Sequence, residues 1–235
     1  MNRLETFASP SDLAMAMAEQ LASILGESLA MDGQALIALS GGTTPEPVYR
    51  QLGKAPLDWN SVTVTLADER FVPPEAADSN AGLLDRSLFA GAADKARFLP
   101  LWSETDHPSE AAHQADQVLR SLVRPYDAVV LGMGADGHTA SLFPGCPELK
   151  AGLDPDERRR CIAVAPCSPA PAQPRLTLTL PELLRSRRIF LMITGEAKRR
   201  VLETAMAGSD PVEMPVRAIL RQTRVPVQIA WAPET

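Results

Sequence analysis

One stretch of the chain places an aspartate and a histidine directly after a short, mostly apolar run. Residues 127–131 are rich in β-branched side chains and predict a buried strand. Asp136 and His138 follow within a few residues. Imidazole changes its charge near neutral pH, so a histidine in this setting suits general acid–base chemistry. His138 is therefore the candidate chemical centre, and the alternative is a histidine that only caps the loop.

Glycines separate the predicted strand from this pair. Gly132, Gly134 and Gly137 permit positive φ angles and a close approach of a ligand to the backbone, and ligands of open α/β sheets bind where strands end. Residues 132–137 also match G-x-G-x-x-G, a pattern typical of dinucleotide sites. That site needs a full helix after the glycines, whereas Pro144 and the glycine after it end any helix within two turns. We therefore do not expect a nicotinamide cofactor.

A second glycine turn, Ser-Gly-Gly-Thr-Thr at residues 40–44, joins a predicted strand to a predicted helix with Thr43 or Thr44 as its N-cap. Free backbone N–H groups and hydroxyls at such a turn bind anions, phosphate above all. The candidate phosphate ligands are Gly41, Gly42 and Thr43. The alternative is a tight turn that binds nothing, and no Walker sequence is present.

Charged residues occur at two further strand ends. Asp68 and Arg70 follow the apolar run 62–67, where a solvated loop is the alternative. Lys198 lies in the first turn of the predicted helix 196–207, where the helix dipole disfavours a cation, and such local misfits are typical of functional residues. If the strands are parallel, these side chains share one sheet edge with the glycine turns and supply positive charge for an anionic ligand.

The elements that position these residues alternate between strand and helix. The first helix is predicted after Ser9, a good N-cap, with Pro10 in its first turn. Further predicted strands include 175–180, 189–194 and 225–231. The alternation predicts an α/β fold with a largely parallel sheet and helices on both faces. We expect residues 1–235 to form a single domain.

Composition excludes several classes of protein. A net charge of −6 argues against binding nucleic acid. No window approaches the roughly 20 apolar residues of a membrane span, and the N-terminus has no apolar leader. The three cysteines form no C-x-x-C pair, so we expect neither a disulfide framework nor a zinc site, and free thiols suit a reducing cytosol. Asp136 and His138 alone are too few ligands for structural zinc.

Five segments carry a family resemblance. SGGTTP, ADERFVP, GMGADGHTASLFPG, PRLTLT and ITGEAK occur in this order between residues 40 and 198, and together they resemble the 6-phosphogluconolactonases. The resemblance implies a Rossmann-like, doubly wound fold shared with the glucosamine-6-phosphate deaminases. It also implies a cytoplasmic enzyme of the pentose phosphate pathway that hydrolyses 6-phospho-D-glucono-1,5-lactone to 6-phospho-D-gluconate without a cofactor.

The resemblance also assigns roles to the candidate residues. His138 is the general base that activates water, Asp68 orders the sugar hydroxyls or that water, and Asp136 either orients His138 or only forms the turn. Backbone N–H groups of the glycine turns are candidate oxyanion donors, and the sequence does not identify which of them. Gly132 and Gly134 are candidate substrate-binding residues. The phosphate is assigned to the turn at Gly41, Gly42 and Thr43, to Arg70 and Lys198, and to Arg175, which matches the arginine of PRLTLT.

Two alternatives remain at this point. The deaminases resemble this chain in the glycine turns, but they typically carry Asp-Glu-Tyr at positions equivalent to 68–70 and a catalytic glutamate where this chain has Phe143. A non-catalytic sugar-phosphate sensor would usually be fused to a DNA-binding or partner domain, and we find no spare segment for one. We expect a monomer or a small homo-oligomer that binds only a small sugar phosphate.

Overall fold

A computed structural model of the chain describes residues 3–168 and 170–234. Within them the strands are β1 (Arg3–Thr6), β2 (Ala35–Leu39), β3 (Val62–Leu66), β4 (Asp68–Arg70), β5 (Arg97–Leu99), β6 (Ala128–Leu131), β7 (Cys161–Val164), β8 (Arg175–Leu178), β9 (Ile189–Thr194) and β10 (Val227–Ala232). Seven of these strands form a parallel sheet in the order β1-β10-β9-β6-β2-β3-β5. Every residue of β2, β6 and β10 is buried, as expected for a sheet covered on both faces. The predicted α/β fold with a largely parallel sheet is confirmed.

The helices between these strands are α1 (Pro10–Asp32), α2 (Glu46–Leu52), α3 (Asn80–Ser87), α4 (Pro108–Arg120), α5 (Leu149–Leu153), α6 (Leu180–Leu183), α7 (Glu196–Ala207) and α8 (Val216–Arg221). Helix α1 begins as predicted, because the Ser9 hydroxyl accepts the backbone N–H of Asp12 at 3.1 Å. It ends at Gly33, whose φ of 70° is left-handed. In the described part of the chain, no helix has both the length and the hydropathy that crossing a bilayer requires.

A second, smaller sheet lies next to the first and was not predicted. Strands β4, β8 and β7 pair antiparallel in that order. Residues 68–70, for which a solvated loop was the alternative, therefore form a strand, and Asp68 and Glu69 are buried. A strand of three residues is too short to show a periodic pattern, so only its pairing with β8 reveals it.

The predicted N-cap of α2 is wrong. Neither Thr43 nor Thr44 caps the helix, because Pro45 occupies that position and makes no side-chain capping bond. The hydroxyl of Thr44 instead forms a hydrogen bond of 2.9 Å with the hydroxyl of Thr194, at the end of β9. The nearby strand thus supplies a partner that local sequence cannot reveal.

The expectation of three free thiols is also wrong. Cys146 and Cys167 form a disulfide with a Cα–Cα distance of 5.8 Å, within the usual range. Cys161 remains a free, buried thiol. The two bridged residues are 21 positions apart, and the sequence does not show that the segment after β7 returns to the turn that contains Cys146.

Candidate active site

A cleft of about 400 Å³ lies at the carboxyl edge of the parallel sheet. The chain leaves β2 for β3 and β5 on one side and returns through β6 on the other side, so the strand order reverses between β2 and β6. Such a switch point is where open α/β sheets bind ligands. The glycine turn after β2, the loop after β6 and the start of α7 after β9 all line the cleft.

His138 lines the cleft and is held by Asp136. Its Nδ1 lies 2.6 Å from Oδ1 of Asp136. Burial raises the pKa of Asp136, but the hydrogen bond from His138 and its charge outweigh burial and hold the pKa below its ordinary value. An ionised carboxylate only accepts hydrogen bonds, so Nδ1 of His138 is the donor, and in the neutral imidazole the lone pair is then on Nε2. The pair can therefore act as an oriented general base.

The backbone around this pair requires glycine. The N–H of Gly134 donates to the carbonyl of His138 at 2.9 Å, and the N–H of His138 donates to Oδ1 of Asp136 at 3.1 Å. A Cβ on Gly134 would overlap the imidazole and the carboxylate, so no larger residue fits. Phe143 supports the ring from another side, with a centroid distance of 4.3 Å.

Asp68 lines the cleft and is 7% exposed. Its Oδ2 accepts a hydrogen bond of 2.6 Å from the hydroxyl of Ser141, a fully buried residue. Ala140, immediately before this serine, has a left-handed φ of 48°, an uncommon conformation for a residue with a Cβ. Such strained residues cluster at functional sites, and here the conformation brings the Ser141 hydroxyl to the carboxylate.

Two arginines form a positively charged wall of the cleft. Arg70 of β4 lies directly opposite Arg175 of β8, an arrangement that is destabilising between like charges. Burial, followed by the charge of Arg70, lowers the pKa of Arg175. Neither guanidinium has an ion-pair partner in the described residues, and both Nε atoms are buried without a hydrogen-bond partner. Half-buried guanidinium groups without an ion-pair partner suit a bound anion.

Lys198 and the first glycine turn complete the lining. The Lys198 ammonium donates to the carbonyl of Met133 at 2.5 Å, and burial lowers its pKa, an effect that Asp136 opposes. Gly42 has a φ of 111°, which favours glycine. Of the residues predicted from sequence, those that line the cleft are His138, Asp68, Gly41, Gly42, Thr43, Arg70, Gly132, Gly134, Arg175 and Lys198. Asp136 lies next to the cleft, in contact with His138.

Comparison with known proteins identifies the family. Residues 8–231 match the family model described as glucosamine-6-phosphate isomerases/6-phosphogluconolactonase. The chain belongs to this family. A 6-phosphogluconolactonase from Pseudomonas putida is 46% identical over 231 residues, which cover 98% of this chain and 93% of the relative. A second from Rhizobium meliloti strain 1021 is 44% identical over 230 residues, which cover 98% of each chain.

A solved structure agrees with these relatives. The crystal structure of a 6-phosphogluconolactonase from Shewanella baltica OS155 has a TM-score of 0.95 and 37% identity, and the match covers 99% of this chain and 98% of that chain. The similarity therefore extends over the whole α/β architecture, including the strands and loops that form the cleft.

Three further residues line the cleft or contact residues that line it. The sequence did not indicate them as site residues. Asn80 lines the cleft at the start of α3, while Ser141 and Phe143 contact Asp68 and His138. An asparagine at a predicted helix start was an available signal, but a helix cap explains it equally well from sequence, and in the structure the cap of α3 is Ser79. In the described residues, no group of three or more His, Cys, Asp or Glu side chains is arranged to hold a metal ion.

Proposed function

We propose that this chain hydrolyses 6-phospho-D-glucono-1,5-lactone to 6-phospho-D-gluconate. The observation that carries the proposal is the presence in one cleft of the oriented base His138 and the unpaired arginines Arg70 and Arg175. The histidine can activate water for attack on an ester, and the two arginines can bind the phosphate of the substrate. The 6-phosphogluconolactonases that match almost the full length of the chain support the same activity.

The proposed reaction needs no covalent enzyme intermediate, because a lactone is already an activated ester. Nε2 of His138 accepts a proton from the water that attacks C1, and the imidazolium then returns the proton to the ring oxygen as the C1–O bond breaks. Asp136 stabilises the imidazolium and maintains the tautomer. Asp68, oriented by Ser141, accepts a hydrogen bond from a sugar hydroxyl or from the attacking water.

The oxyanion donors in this mechanism are backbone N–H groups of the first glycine turn. Those of Gly41 and Gly42 have no hydrogen-bond partner in the described residues, whereas the N–H of Gly134 is occupied by the carbonyl of His138. The phosphate binds Arg70, Arg175 and Lys198, which line the same cleft. We further propose that the enzyme acts in the cytoplasm, in the pentose phosphate pathway, as the family resemblance implies.

A paired assay tests the proposal. Hydrolysis of the phosphorylated lactone is followed in a pH-stat, and ammonia release from glucosamine 6-phosphate is measured in parallel. We expect rapid lactone hydrolysis and no ammonia, because Phe143 cannot supply the acid–base group that deamination needs. Ammonia release without lactone hydrolysis would instead favour the deaminase, and saturable binding without either reaction would favour a sugar-phosphate sensor.

A further inference from the structure

Asn80 touches three parts of the cleft at once. It is 2% exposed, its Oδ1 accepts a hydrogen bond of 2.7 Å from Nη1 of Arg70, and its Nδ2 donates to the backbone carbonyl of Asp68 at 2.8 Å. A Cβ on Gly41 would overlap the Asn80 amide, so the side chain also packs against the first glycine turn. A guanidinium only donates and a carbonyl only accepts. Both contacts therefore assign the amide the same way, with its oxygen toward Arg70 and its nitrogen toward the Asp68 carbonyl.

Glu69 fixes the position of Asn80. The fully buried carboxylate accepts the backbone N–H groups of Arg70 at 2.7 Å, Asn80 at 2.8 Å and Ala81 at 2.7 Å, and the hydroxyl of Ser79 at 3.2 Å. A carboxylate at a helix N-terminus is favourable because it satisfies free N–H groups and complements the helix dipole. The start of α3 is thereby attached to β4, the strand that carries Arg70.

These contacts determine how the Arg70 side chain is oriented. Nη1 donates both to Asn80 and to the carbonyl of Asp78, the latter at 2.5 Å, while the buried Nε has no partner in the described residues. An uncharged amide can hold a guanidinium in this way without neutralising it, whereas a carboxylate in the same position would form an ion pair and compete with an anionic ligand.

We propose that Asn80 is a positioning residue that holds the Arg70 guanidinium in the orientation in which it binds the phosphate of the substrate. The inference rests on the proposed function for the identity of the anion. Asn80 then acts on the substrate only through Arg70. The contacts between β4 and the start of α3 thereby contribute to the specificity for a phosphorylated substrate.

A double-mutant cycle tests this inference. The dissociation constants of inorganic phosphate and of 6-phosphogluconate are measured by calorimetry for the wild type, Asn80→Ala, Arg70→Ala and the double variant. We expect Asn80→Ala to weaken binding of both ligands by about 10-fold or more, and to have little further effect once Arg70 is absent. An equal loss in both backgrounds would overturn the inference, because Asn80 would then act independently of Arg70.

A second variant separates orientation from packing. Asn80→Asp preserves the shape of the side chain and suits a helix start, but it loses the hydrogen bond to the Asp68 carbonyl, so a cooperative thermal transition is the check that it folds. We expect it to bind phosphate more weakly than Asn80→Ala, because its carboxylate pairs with Arg70. Wild-type affinity in Asn80→Asp would contradict the proposal. These binding measurements do not depend on turnover, so a failure of the proposed lactonase activity is distinguishable from a failure of the inference.

Discussion

At the residue scale, one hydrogen bond decides which nitrogen of His138 can accept a proton. The ionised Asp136 carboxylate accepts from Nδ1 at 2.6 Å, which leaves the lone pair on Nε2. We expect His138→Ala to lower kcat by about 10²- to 10⁴-fold, the usual contribution of a positioned base, and to change KM far less. Steady-state kinetics on the phosphorylated lactone measures both.

A matched control for this variant is available on α4. His113 is exposed and bonded to Gln117, so His113→Ala should leave kcat and KM unchanged. A folded His138→Ala protein that retained the wild-type kcat would exclude the general-base assignment. The sequence placed His138 beside the glycines at the end of a strand, and the structure has it there. The sequence left open whether Asp136 orients the ring, because an aspartate that only forms the turn has the same spacing.

Lys198 gives a pH-dependent prediction at the same scale. Burial lowers its pKa below the ordinary value of 10.5, so the ammonium loses its charge at a lower pH than an exposed lysine does. In the proposed site the phosphate binds the charged form of Lys198, so the affinity for phosphate should decrease as pH rises through the lowered pKa. The dissociation constant of inorganic phosphate, measured by calorimetry from neutral pH up to the ordinary lysine pKa of 10.5, reports this effect. Lys198→Arg should remove the decrease, since arginine stays protonated over this range; parallel profiles would exclude a phosphate contact.

At the element scale, the disulfide joins two segments that frame the site. Cys146 follows the loop that contains Phe143, and Cys167 precedes β8 and Arg175. Closing a loop of this length typically stabilises a fold by about 3 kcal/mol. We expect reduction with dithiothreitol to lower the free energy of unfolding by about that amount, measured by urea denaturation. The Cys146→Ser/Cys167→Ser double variant serves as the control, and its stability should not respond to the reductant.

Local pattern predicted some elements and missed others for physical reasons. The bounds of β9 and α7 are those predicted, because a continuous apolar run marks the strand and local helix signals mark the helix that follows it. The short strand β4 has no such signal, and its partner β8 lies more than 100 positions later in the sequence. The sequence therefore could not predict contacts between segments that are far apart along the chain. The facing of Arg70 and Arg175 and the disulfide are both contacts of this kind.

At the scale of the whole molecule, the two ends of the parallel strands differ in whether their charged groups are paired. The carboxyl edge carries the cleft, while Asp127 lies just before β6 at the opposite edge and is 1% exposed. It accepts hydrogen bonds from the Ser28 hydroxyl at 2.8 Å, the Leu36 N–H at 2.8 Å and Arg124 at 2.9 Å. At that edge the buried carboxylate is fully paired, whereas the guanidinium groups in the cleft are not.

The two facing arginines, which have no ion-pair partner in the described residues, connect anion binding to the stability of the folded chain. Two facing cations without a counter-ion make the empty protein less stable than its liganded form, so an anion that bridges them shifts the folding equilibrium by mass action. The shift grows with the logarithm of the anion concentration. In a cell that makes sugar phosphates rapidly, the resistance of this protein to degradation should therefore increase with the supply of its proposed substrate.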